Sequence, residues 1–148
     1  MRLESLEWTR QLDIAVCMAL GWRAMPEPGS QVQAYGTGWR LENDQGQTVG
    51  WYLTEEDAWA EGADPLTMRL DLAISLAARQ LIAMKPFIPR GDRTLWCARW
   101  LAEEGDAWQL SASLPIAVCL AVLRRCGVAP PPGNPETTTA SRVQAARS

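Results

Sequence analysis

Two stretches of this chain alternate apolar and polar residues on either side of a turn, and that period of two restricts the fold more than any other feature. In the first, Trp39 and Leu41 lead into Asn43-Asp44-Gln45-Gly46, after which Val49, Trp51 and Leu53 resume the alternation. The spacing predicts a β-hairpin with Trp39 and Trp51 on its inner face. In the second, Trp96, Ala98 and Trp100 alternate with Leu95, Cys97 and Leu101, and Trp108, Leu110 and Ala112 alternate with Gln109, Ser111 and Ser113. Glu103 to Asp106 closes this hairpin. Its first strand is apolar on both faces, which predicts cover on both.

The segments between the hairpins carry helical signals. From Ser5 to Leu20 most apolar residues fall on one stripe, and Gly21 follows as a C-cap. A loop with Pro26, Pro28 and Gly29 comes next. Thr54, followed by Glu55, Glu56 and Asp57, reads as an N-cap opening a short turn over Asp57 to Glu61. Leu66 to Met84 contains neither glycine nor proline and predicts the longest helix, stopped by Pro86 and Pro89. Ser113 caps a last helix, with Pro115 in its first turn, Arg124 and Arg125 at its negative end and Gly127 after it.

Together these elements predict an α+β protein in which two hairpins form one antiparallel four-stranded sheet, layered with about three helices as an α-β-α sandwich. At 148 residues the chain fits one domain. Residues 1–128 are assigned to it. Beyond them, four prolines, a run of three threonines and no periodicity predict a disordered tail over residues 129–148.

Gly21-Trp22 at the end of the first helix, Pro65 and Thr67 ahead of the second, and Ser113-Leu114-Pro115-Ile116-Ala117-Val118-Cys119 resemble the phage ABA sandwich domain, a family of small phage proteins of α-β-α architecture. The matches span Leu12 to about Val128. The family's aromatic, Ser, Thr, Asp entry to its second helix is replaced here by Leu66-Thr67-Met68. The resemblance implies a phage or prophage gene expressed in a bacterial cytoplasm, and it brings no established activity.

Composition removes most chemistry. The sequence contains no histidine, so the usual general base of Ser/His/Asp and Cys/His systems is missing. Cys17, Cys97, Cys119 and Cys126 show no CxxC spacing, which predicts buried, reduced thiols and neither a zinc site nor a cofactor. The carboxylate pairs Glu55-Glu56 and Glu103-Glu104 read as solvated faces, and no phosphate-binding glycine loop occurs; Gly36-Thr37-Gly38 lacks the flanking strand and helix. No catalytic residue is assigned. The formal charge of −3 disfavours duplex nucleic acid as a partner. Leu114 to Cys126 is too short to span a membrane, which needs about 20 apolar residues. Glu4, Glu7 and Asp13 interrupt any signal-peptide pattern, so the expected location is the cytoplasm.

Recognition is what remains. Eight tryptophans against two tyrosines and one phenylalanine are unusual, and most are expected to fill the core. One or two can serve as platforms for a planar ligand where arginine stands nearby. The basic loop Lys85 to Arg93 is the first candidate, with Arg90 and Arg93 holding phosphate beside Trp96 and Lys85. Trp39 with Arg40 is a second, and the N–H groups at Ser113 a third. These residues predict a non-enzymatic protein that sequesters a small anionic ligand, a nucleotide immune signal being the leading candidate. The alternative is a structural or interaction protein that binds a host or phage protein. An aromatic-rich sheet in a small protein also predicts a homodimer or larger assembly.

Overall fold

The computed structural model describes residues 2–27, 38–89, 91, 93–103, 105 and 107–136. The chain divides into two compact units, Met1–Asp64 and Pro65–Ser148. In the first, a 3-10 turn (Leu3–Ser5) precedes α1 (Trp8–Ala19), strands β1 (Arg23–Glu27), β2 (Gly38–Glu42) and β3 (Thr48–Tyr52), and α2 (Glu55–Gly62). In the second, α3 (Leu70–Gln80) leads into β4 (Ile82–Phe87), β5 (Leu95–Trp100) and β6 (Gln109–Ser111), and α4 (Leu114–Arg125) follows. Each unit is therefore a helix, a three-stranded antiparallel meander and a helix.

The α+β class holds, but two three-stranded sheets replace the single four-stranded one. The strands missing from the expectation are β1 and β4. Pro26 and Pro86 lie inside them, and proline reads as a strand breaker because it cannot donate to a ladder. Both strands are sheet edges, where a row of donors faces outward and one can be lost. The expected long helix also ends earlier, at Gln80. Leu81 turns the chain with a left-handed backbone (φ 56°), a conformation that lets β4 begin at the next residue.

Register sets which side chains meet. Trp39 opposes Tyr52 and Arg40 opposes Trp51, with a bulge between Leu41 and Glu42. Trp39 and Trp51 consequently lie on opposite faces of the first sheet, not together on an inner one. α2 covers the Trp39 face: a Cβ added at Gly62 would stand 2.5 Å from Leu41 Cδ2 and 2.6 Å from the Tyr52 hydroxyl. Arg10 of α1 fastens the end of α2. Its guanidinium donates to the carbonyls of Ala60 (3.0 Å), Ala63 (2.7 Å) and Asp64 (3.4 Å) and pairs with the buried Asp13 at 3.1 Å. The signalled caps form as expected, Thr54 Oγ1 accepting from Asp57 N and Ser113 Oγ from Ile116 N.

In the second unit α4 is buried over eight consecutive residues, Ile116 to Leu123, as its all-round apolar sequence requires. It packs on α3 and across β4, β5 and β6. Arg125 donates to the carbonyl of Gln80, where α3 ends, and its guanidinium lies 5.0 Å from the Trp100 ring centroid. Residues 129–136, assigned by composition to the tail, include Glu136, whose carboxylate accepts from the Ser111 hydroxyl. Residues 137–148 lie outside the described part. Among the described residues no helix is long and apolar enough to cross a membrane.

Candidate functional site

Lys85 and Trp96 do not share a face. In the second sheet Lys85 opposes Cys97 while Pro86 opposes Trp96, so successive side chains put the lysine on the Cys97 side and the indole on the other. Lys85 meets a different tryptophan. Its Nζ stands 4.3 Å from the ring centroid of Trp108, which precedes β6, and the guanidinium carbon of Arg99 on β5 stands 5.0 Å from the same centroid. Both distances are those of cation–π attraction.

The local fold holds this group in place. Arg99 Nη1 donates to the carbonyls of Glu103 (3.1 Å) and Gly105 (2.9 Å), so the connection between β5 and β6 fixes the guanidinium beside the indole. Its Nε is buried and makes no hydrogen bond among the described residues. Lys85 is exposed and Trp108 half-buried. No carboxylate pairs with either cation among the described residues. Two positive charges thus converge on one accessible aromatic ring, with no acid among the described residues paired to either.

The other predicted residues are placed differently. Arg93 is exposed at the start of the β5 approach, and Arg90 lies outside the described residues, as do Gly36 and Thr37. Trp39 and Arg40 are neighbours on β2 and point to opposite faces. The Arg40 guanidinium is already engaged. Its Nε donates to Glu27 at 2.8 Å and its Nη1 to Glu42 at 2.8 Å and Thr48 at 3.3 Å, while Arg23 also reaches Glu42 at 3.1 Å. The Glu27 hydrogen bond, then that of Glu42, pushes the Arg40 pKa above its usual value, and Arg23 followed by Arg40 holds the Glu42 carboxyl below its own.

Ser113 opens α4, as its N-cap role demands, and several donors of that turn are already engaged. The Glu136 carboxylate accepts from Ala112 N–H at 2.8 Å and from the Ser111 hydroxyl at 2.9 Å, and Ser113 N–H donates to Ser111 Oγ at 3.0 Å. Beside this segment runs a groove of about 280 Å³ lined by Gln109, Leu120, Arg124 and Gly127 to Pro130. The cation among its described lining residues, Arg124, pairs with Glu103 at 2.9 Å.

Among the described residues no three Cys, Asp or Glu side chains converge as metal ligands would. Burial pushes the Cys17 thiol up to about 12, so it stays protonated and inert. No family model, curated protein or solved structure matches this chain. Of the described residues singled out as candidate ligands from the sequence, Lys85 enters the cationic face. Trp108 and Arg99 join it through strand register, which alternation by itself does not reveal.

Proposed function

We propose that this protein binds a small anionic ligand with a planar part, a nucleotide being the simplest, on the face formed by Lys85, Arg99 and Trp108, and holds it without turnover. The observation that supports this reading is the pair of cations, at 4.3 Å and 5.0 Å from one indole, that no carboxylate pairs among the described residues. A phosphate draws the flexible Lys85 away from the ring, and the freed indole stacks on a base, worth about 1–3 kcal/mol. Charge-assisted hydrogen bonds to phosphate add about 1.5–3 kcal/mol each. The sequence has no histidine to shuttle protons, which favours storage over hydrolysis. In the phage setting implied by the Ser113 to Cys119 resemblance, such a protein sequesters a nucleotide signal in the host cytoplasm.

Thermal unfolding with a panel of cyclic and linear nucleotides tests this. A ligand at a hundred times its Kd stabilises the folded state by about 2.7 kcal/mol, a shift of several degrees, and Trp108→Leu with Lys85→Ala removes it. Absence of a shift with every nucleotide refutes the proposal, and recovery of products in place of intact ligand refutes storage.

One observation favours the interaction reading. Val49, Trp51 and Leu53, of and beside β3, are exposed by 41%, 40% and 50%, apolar surface of the kind that protein contacts cover. Trp51→Ala abolishing co-purification with a single stoichiometric protein would support it.

A further inference from the structure

The two units repeat one another in sequence as well as in element order. Trp39, Trp51, Leu53 and Thr54 recur at one constant offset as Trp96, Trp108, Leu110 and Ser111. Leu12-Asp13-Ile14-Ala15 of α1 returns as Leu70-Asp71-Leu72-Ala73 at the start of α3. Pro26 opposes Trp39 across β1 and β2 just as Pro86 opposes Trp96 across β4 and β5. Counting from these anchors in the sequence, Met25 corresponds to Lys85, Glu42 to Arg99 and Trp51 to Trp108; the register across the last two strands differs by two residues, Trp39 opposing Tyr52 but Trp96 opposing Ser111, which keeps both indoles on the same face of their sheets.

In the first unit Met25, Arg40 and Trp51 form one cross-strand row, with Glu42 two residues along β2 on the same face. The exposed indole and an arginine are therefore present there too. What differs is charge. Where the second unit has Lys85 and Arg99, the first has a thioether and a carboxylate, and Arg40 is held by Glu27 and Glu42, both at 2.8 Å. An anion approaching Trp51 meets two carboxylates and a guanidinium whose donors are in use.

We infer that the chain is a tandem duplication of one α-β-β-β-α module whose aromatic face takes an anion in the second copy only: Lys85 and Arg99 open it there, and Glu27 and Glu42 shut it in the first. The inference rests on the ligand reading proposed above and adds to it a stoichiometry of one anion per chain and the residues that decide it.

Fluorine NMR of 5-fluorotryptophan-labelled full-length protein tests it, with inorganic pyrophosphate as the probe and Trp51→Phe and Trp108→Phe to assign the two signals. In the wild type the Trp108 signal moves saturably while that of Trp51 stays still. In Glu27→Gln/Glu42→Gln the Trp51 signal moves as well, and Lys85→Met, which gives the second unit the residue of the first, weakens the Trp108 response about tenfold, the loss of one charged contact. A Glu42→Gln single variant serves if the double variant does not fold, recognised by its remaining signals. A silent Trp108 in the wild type overturns the ligand reading itself. A Trp51 signal that responds in the wild type, or stays silent in the folded variant, overturns the present inference and leaves that reading standing.

Discussion

Glu136 reaches back to Ser111, its carboxylate accepting a 2.9 Å hydrogen bond from a hydroxyl whose residue is only 2% exposed. The second oxygen accepts from Ala112 N–H, and Asn134 Oδ1 in turn accepts from Glu136 N–H at 2.9 Å. Glu136→Ala leaves the Ser111 and Ala112 donors without this acceptor, at a cost of about 1–3 kcal/mol. At this chain length the melting temperature falls by about 2–4 °C per kcal/mol, measured by calorimetry; an unchanged value would show that the contact contributes nothing.

Arg10 ties three carbonyls at the end of α2 to the buried Asp13. Arg10→Ala is expected to cost about 2–4 kcal/mol, because the carbonyls lose their donor and a buried carboxylate loses its cation. Arg10→Lys recovers less than half of that, since an ammonium cannot reproduce the fork. Urea midpoints of the two variants provide the comparison.

Leu81 is an L-residue in left-handed backbone at the end of α3, with a side chain 56% exposed. The conformation costs a residue with a Cβ about 1–2 kcal/mol, whereas glycine adopts it freely. Leu81→Gly is therefore expected to raise stability by about 0.5–1 kcal/mol after its own entropy cost, read as a higher urea midpoint with unchanged slope.

Burial separates the cysteines. Cys17, Cys97 and Cys119 are buried, and Cys126, expected to be buried with them, is exposed at the end of α4. In native protein a disulfide reagent should titrate one thiol quickly, abolished by Cys126→Ser, and the remaining three only after denaturation. Rapid reaction of a second thiol would contradict the packing around α1, β5 or α4.

Stability should also carry a Glu42-dependent acid limb. Arg23 and Arg40 hold the Glu42 carboxyl below its ordinary 4.5 in the folded state. A depressed folded-state pKa contributes stability that is complete above the unfolded value and disappears as pH falls through the folded one. Stability followed over roughly pH 5 to 2 should fall less steeply for Glu42→Gln than for wild type, and less steeply for wild type in high salt.

Much of the local structure was legible because its signals are local. Thr54 and Ser113 cap helices, Asn43 Oδ1 accepts from Gln45 N–H and Gln47 N–H to close the first turn, and α4 lies inside as its sequence demands. The edge strands were not, because Pro26 and Pro86 carry the signature of loops and only their position at a sheet edge makes them tolerable. The candidate site depended on register. Lys85 reaches Trp108 from the far side of β5, a relation invisible to alternation, which names the residues on a face and not their partners across it. Ser113 is legible as a cap, whereas the anion on its turn is supplied by Glu136, in a stretch whose composition resembles a disordered tail.

Pro26 and Pro86 also give each meander a polarity. Each interrupts the outward donors of one border strand, so backbone pairing with a further chain is impeded along β1 and β4. β6 is three residues long and leads straight into the turn held by Glu136. The outer margin of the five-residue β3 carries no proline, so within the described residues its main-chain donors are intact.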